Sequence, residues 1–143
     1  MQVSELKENQ IVRLTDLLSN EKNLTSSDAE KIIVLSSLLH LSVKESFDLE
    51  FSSYDDCIIE YSSQEYLVCT DSEADEKWND SLDNYIEDCI LPEIPKYLQD
   101  YFDTEKWKID AKYDGRGHSL SSYDGDEKEM SINGETYYIY RLN

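Results

Sequence analysis

Apolar positions recur along this chain with two different periods, and the change of period marks its elements. Leu6, Leu14, Leu17 and Leu18 fall at helical spacing and predict a helix over residues 4–20. A second helix is predicted over 27–43, opened by Ser27 with Glu30 three places later and continued through Ile32, Ile33, Ser36, Leu39 and Val43. The run IIVL fits a strand as well, but the pattern around it is too long for one, and LTSSD supplies the break between the two helices. Beyond a polar, aromatic connector at 46–56, CIIEYSSQEYLVCT reads as two β-rich runs turning at Ser62-Ser63.

Thr70 and Glu73 form another capping pattern, which opens a helix over 71–91 that Pro92 ends. A short helix follows, with Pro95 in its first turn and Ile94, Tyr97, Leu98, Tyr101 and Phe102 on one face. Another is expected from Thr104 to about Tyr113, supported by Trp107 and Ala111. DGRGH and YDGD are turn-rich. In MSINGETYYIYRLN, Asn133-Gly134 predicts a type I′ hairpin that puts Met130, Ile132, Tyr137 and Ile139 on one face. The expected architecture is α+β, a small antiparallel sheet from two hairpins packed with the 71–91 helix. Residues 1–45 read as an N-terminal helical extension and 46–143 as an acidic α+β domain.

Composition supports a folded chain. With 143 residues and 39% apolar content, including eleven tyrosines, it has enough for a core despite a net charge of −19. Cys57, Cys69 and Cys89 are odd in number and lack C-x-x-C spacing, which argues against a disulfide framework and a zinc site. MQVSELKENQ lacks the apolar stretch of a signal peptide, so the expected location is cytoplasmic.

The charge is concentrated. Glu45 to Pro95 holds sixteen acids and one base, Lys77, a net of −15, whereas the rest of the chain nets only −4. On the 71–91 helix, Ala74, Trp78, Leu82, Tyr85, Ile86 and Cys89 share one arc, expected to pack on the sheet. Glu73, Glu76, Asp80, Asp83 and Glu87 form a stripe opposite, about 21 Å long, with Asp71, Asp75 and Asp88 beside it. The like-charge pairs Glu76–Asp80 and Asp83–Glu87 each cost about 0.2–0.5 kcal/mol.

Such a surface repels nucleic acid and anionic membranes and favours basic partners. Duplex DNA carries about one charge per 1.7 Å, so the helix alone, at a net −7, is too sparse to imitate it. DNA mimicry requires the hairpin acids Asp55, Asp56, Glu60 and Glu65, and the connector acids Glu45, Asp48 and Glu50, to flank the helix. The plainer reading is a solvated face that keeps the protein dissolved.

Other constellations are weaker. His118 with Asp114, Asp124 and nearby serines could form a hydrolytic site, but no nucleophile-elbow motif is present. Asp124, Asp126, Glu127 and Glu129 do not follow the ligand order of a calcium loop. His40 is expected at the core edge. Arg13, Lys22, Lys31 and Lys44 give the N-terminal helices too little basic charge for DNA, whereas Leu14, Leu17, Leu35 and Leu38 suit self-association into a homodimer.

EYLVCTDSEADEKW, DGRGHSLSSYDG and NGETYYIYRLN resemble small acidic proteins encoded by bacteriophages and prophages, a resemblance covering roughly residues 54–143. In charge and size the chain is also similar to anti-CRISPR and anti-restriction inhibitors. That likeness implies a non-enzymatic, cofactor-free and metal-free DNA mimic acting in the host bacterial cytoplasm on a basic DNA-binding groove. The alternative is an interaction module whose apolar or tyrosine-rich surface, including the C-terminal hairpin, binds a protein while its acidity serves only solubility.

Overall fold

A computed structural model describes all residues, 1–143. A 3-10 turn, Val3–Glu5, leads into α1 (Glu8–Lys22), α2 (Ser26–Leu38) and the single turn α3 (Val43–Ser46). The sheet comprises β1 (Glu50–Phe51), β2 (Ile58–Tyr61), β3 (Gln64–Thr70), β4 (Lys128–Ile132) and β5 (Glu135–Arg141). Helix α4 (Asp71–Tyr85) follows β3 without a loop, and α5 (Thr104–Ala111) and α6 (Arg116–Leu120) precede β4. The class is α+β, as the sequence predicts.

All five strands are antiparallel, in the order β1-β2-β3-β5-β4. The two expected hairpins are β2–β3 and β4–β5, joined through β3 and β5 with Tyr66 opposite Arg141 and Thr70 opposite Tyr137. Each turns on two residues of positive φ. Asn133 (51°) and Gly134 (80°) make one turn, and Ser62 (52°) and Ser63 (68°) the other. That geometry matches the twist of the flanking strands, so two serines hold a conformation usually left to glycine or asparagine.

Strand alternation sends the sheet's side chains to two cores. On one face Ile59, Tyr66, Val68, Ile132, Tyr137 and Ile139 meet Leu14 and Leu18 of α1 and Ala29, Ile32, Ile33, Val34 and Leu35 of α2. On the other, Ile58, Leu67, Cys69 and Tyr140 meet Ala74 of α4 and Leu120 of α6, with Trp78 and Tyr138 beside them. The protein is therefore a sheet between two helical layers, and β3, buried on both sides from Tyr66 to Cys69, is its spine.

This arrangement corrects the division at residue 45. Nine of the sixteen residues in the larger core precede it, so residues 1–45 are half of a shared interior. Leu14 and Leu35 lie in that core, and Leu14, Leu17, Leu35 and Leu38 do not form an outward face for a homodimer; of the four, only Leu17 is exposed. The second helix starts earlier and ends earlier than expected. Thr25, not Ser27, caps it by accepting from the Asp28 N–H, and Glu30 instead accepts hydrogen bonds from Tyr137 and Asn133. His40 is not at the core edge but exposed just past α2, at φ 56°.

After Tyr85 the helix passes into a π turn (Ile86–Ile90), two 3-10 turns (Leu91–Glu93 and Lys96–Tyr101) and then α5. No residue from 87 to 107 is buried. Tyr97, Leu98 and Tyr101 accordingly project into solvent from 3-10 turns rather than lining one face of a regular helix.

Candidate functional site

Helix α4 carries the densest acid, and its first turn is fixed locally. The Glu73 N–H donates to Thr70 Oγ1 at 3.3 Å, and the Thr70 N–H donates back to Glu73 Oε1 at 2.9 Å. Ala74, Leu82 and Ile86 bury the inner side, while Trp78 is half-buried and its Nε1–H donates to Ser119 Oγ at 3.1 Å. Two members of the expected inner arc depart from it. Tyr85 is half exposed, and Cys89 is exposed because the π turn rotates it away from the packed side.

Basic residues far along the chain neutralise much of the charge beside this helix. Glu73 pairs with Lys31 at 3.0 Å and Asp83 with Lys108 at 2.8 Å. Arg116 holds Asp71 at 2.9 Å, Asp75 at 2.8 Å and Glu127 at 2.7 Å, while its guanidinium lies 4.6 Å from the Tyr138 ring centre. Asp55 pairs with Lys77 at 2.7 Å. The stripe therefore loses Glu73 and Asp83 as free charges, and Asp55, Asp71 and Asp75 are likewise committed within the molecule.

The ionisation of these groups follows from their partners. Burial opposes the charged form of Glu73, but the Thr70 N–H and Lys31 outweigh it and hold the carboxyl below its ordinary range. Asp55 is depressed in the same way, burial being overcome by Lys77 and the Cys57 N–H. Lys31, almost wholly buried, stays charged: desolvation favours its neutral form, yet Glu73 raises its pKa above the usual value. Arg116 is also raised, its three carboxylates overcoming the cost of burial.

Glu76 and Asp80 on α4, and Glu87 and Asp88 in the π turn after it, have no lysine or arginine partner and are exposed. A second group of acids lies on the strands. Glu50 of β1 faces Glu60 of β2, which faces Glu65 of β3, a row of three carboxylates across adjacent strands. Strand alternation puts Glu60 and Glu65 on the same side as Ile58 and Leu67, the side that α4 covers farther along β3. Asp48, Glu50, Glu60 and Glu65 line an open depression of about 400 Å³. Lys22 reaches Glu50 at 2.8 Å, and the Tyr54 hydroxyl donates to Glu65 at 2.5 Å; Glu60 has neither kind of partner. Asp56 is exposed, and Glu45 accepts from the Ser42 N–H in the cap of α3.

A second hollow, of about 380 Å³, lies between α4, α5 and α6 and is lined by Ser81, Leu82, Tyr85, Trp107, Ala111, Asp114, His118 and Ser119. Tyr85 and Trp107 stack with ring centres 5.6 Å apart and planes 11° from parallel. Sequence reading missed this pair, because it placed Tyr85 in the core and gave Trp107 only a supporting part in a helix. His118, Asp114 and Ser119 share the hollow, yet His118 makes no hydrogen bond to either. Asp124 is elsewhere, accepting from Ser121 Oγ at 2.6 Å and from the Asp126 N–H at 3.0 Å. The acids near it are also occupied, Asp126 by Lys128 and Glu127 by Arg116 and the Tyr140 hydroxyl. No group of His, Cys, Asp and Glu side chains has the geometry to hold a metal ion, and no helix is long and apolar enough to cross a membrane.

Compared with protein families, with curated proteins and with solved structures, the chain finds no match.

Proposed function

We propose that the protein is a phage-encoded, non-enzymatic inhibitor that acts in the bacterial cytoplasm by occupying the basic groove of a nucleic-acid-binding defence protein. The observation that carries this reading is the set of carboxylates left without a cation: Glu76, Asp80, Glu87 and Asp88 along and beyond α4, with Glu60 and Glu65 on the α4 side of the sheet. Long-range attraction to a basic groove speeds encounter, and carboxylate–arginine pairs that lose water on docking fix the register. The internally paired acids Asp55, Asp71, Glu73, Asp75 and Asp83 make a smaller contribution. The imitation of duplex DNA is therefore sparser than the net charge of −19 suggests.

The test is capture from bacterial lysate on immobilised protein at low and high salt, followed by displacement with duplex DNA. The expected captured species binds nucleic acid, is released by added duplex, is lost at high salt, and is not retained by the triple change Glu76→Lys, Asp80→Lys, Glu87→Lys. Retention at full strength by that variant would refute the proposal.

The exposed Tyr97, Leu98, Tyr101 and Tyr113 favour a second reading, an interaction module that uses aromatic contact while its acids keep it dissolved. The surface is not the YYIY hairpin, since Tyr137 and Tyr140 are fully buried. Here binding is insensitive to salt and is lost on changing Tyr97 and Tyr101 to serine.

A further inference from the structure

Aromatic rings, a free carboxylate, two serine hydroxyls and the His118 imidazole line the hollow between α4, α5 and α6, and no lysine or arginine of this chain is in its wall. Tyr85 is 52% exposed although it stacks on Trp107, so the pair offers ring surface to an incoming group. Asp114 is exposed and unpaired. Of the three lysines nearby in sequence, Lys108 pairs with Asp83 at 2.8 Å and Lys112 lies over the Trp78 ring at 5.3 Å, and neither these two nor Lys106 lines the hollow. The oxygens of Ser81 and Ser119 add acceptors on the α4 and α6 walls.

We infer that this hollow receives an arginine side chain of the basic partner, its guanidinium stacked on the Tyr85–Trp107 platform and paired with Asp114. The inference rests on the proposed function and specifies one anchor within it. A guanidinium has five donors and no acceptor, so a site of acceptors and ring faces suits it. It is planar and weakly hydrated, and therefore stacks on an aromatic ring where an ammonium prefers to keep its water. The surrounding charge of −19 excludes anions and raises the local concentration of cations. A volume of about 380 Å³ lies within the range of small-ligand pockets, about 300–1,000 Å³. Arginine in such a pocket is a common energetic anchor of protein interfaces.

The probe is a capped peptide of alternating glycine and arginine, compared with the same peptide in lysine, titrated into the full chain while the two indole N–H resonances are followed. The expected result is saturable binding of the arginine peptide that shifts the Trp107 resonance, about tenfold tighter than the lysine peptide. Asp114→Asn and Trp107→Ala each weaken it about tenfold, whereas Glu129→Gln, which removes an equal charge from the exposed strand β4, does not. Equal binding of the two peptides, absence of binding, or an Asp114→Asn effect no larger than that of Glu129→Gln would overturn the inference. If both peptides bind alike and both are lost in the Glu76, Asp80, Glu87 triple variant, the arginine pocket fails while the acidic-surface proposal stands.

Discussion

Lys31 of α2 and Glu73 of α4 meet at 3.0 Å across 42 residues of chain, tying the N-terminal layer to the first turn of the acidic helix. Lys31 also lies 3.7 Å from Cys57 Sγ, in a buried corner where only Glu73 offers it a carboxylate. Removing the lysine strands a half-buried carboxylate. A fully buried pair broken on one side costs about 3–5 kcal/mol; the partial exposure of Glu73 lowers the expectation for Lys31→Met to about 1–3 kcal/mol. Adding Glu73→Gln should recover part of the loss in urea denaturation. An unchanged midpoint in the single variant would count against the pair.

The same pair sets a pH dependence. Because the Glu73 carboxyl is depressed on folding, its contribution is complete above the unfolded glutamate value and fades as pH falls below about 4.3. Because the Lys31 pKa is raised, its contribution is complete below the unfolded lysine value and fades as pH rises beyond about 10.4. Lys31→Met should therefore flatten both limbs of a stability–pH curve measured by thermal melting. Limbs as steep as in the parent protein would show that other groups dominate.

Residues 46–143 alone should not fold. Deleting 1–45 uncovers Ile59, Tyr66, Val68, Tyr137 and Ile139 on one side of the sheet, and each fully buried side chain of this kind is worth about 1.5–3 kcal/mol. A net stability of about 5–15 kcal/mol does not survive that exposure. Far-UV circular dichroism and limited proteolysis of the shortened chain measure the outcome, and a cooperative melt would contradict it.

Glu60→Lys should stabilise the protein at low salt. Glu60 stands between Glu50 and Glu65 with no cation of its own, and opposite charges placed directly across strands gain about 0.2–1 kcal/mol per pair. The gain should shrink at 1 M salt, where the Debye length is about 3 Å. A lower urea midpoint at low salt would mean that Glu60 has an unrecognised partner.

Gly117→Ala should destabilise by about 1–3 kcal/mol, the usual cost of forcing atoms into filled space. A Cβ there would stand 2.9 Å from the Glu127 N and 3.0 Å from both the Asp126 carbonyl carbon and the Gly125 oxygen, all backbone atoms with no flexible end to yield. The clash also displaces Glu127 from Arg116, so hydrogen exchange near α6 should quicken together with the fall in the denaturation midpoint. An unchanged midpoint would show that the 125–127 turn moves aside freely.

The readable parts of this sequence were those governed by neighbours along the chain. Thr70 and Glu73 announce α4, Asn133-Gly134 announces the last hairpin, and Met130, Ile132, Tyr137 and Ile139 do share a face. Partnership across long separations was not readable. The period of Ile32, Ile33 and Leu35 says that α2 is buried, but not that it is buried against β3 and β5. Likewise the carboxylate stripe was visible as a pattern, whereas its partial neutralisation depends on Lys31, Lys108 and Arg116, which only the fold brings near. Cys89 is misplaced because an ideal 100° wheel carries no information about the π turn, and Tyr85 because the wheel carries none about Trp107.

The strand order carries a consequence for synthesis. Since β5 sits between β3 and β4, one edge of β3 waits for about 70 further residues to leave the ribosome, about 3–15 s at bacterial rates. During that interval Leu67 and Val68 form a sticky ledge on which a neighbouring nascent chain could zip. Glu60 and Glu65 on one flank and the carboxylates of α4 on the other surround the ledge with like charge, making two unfinished copies repel before they aggregate.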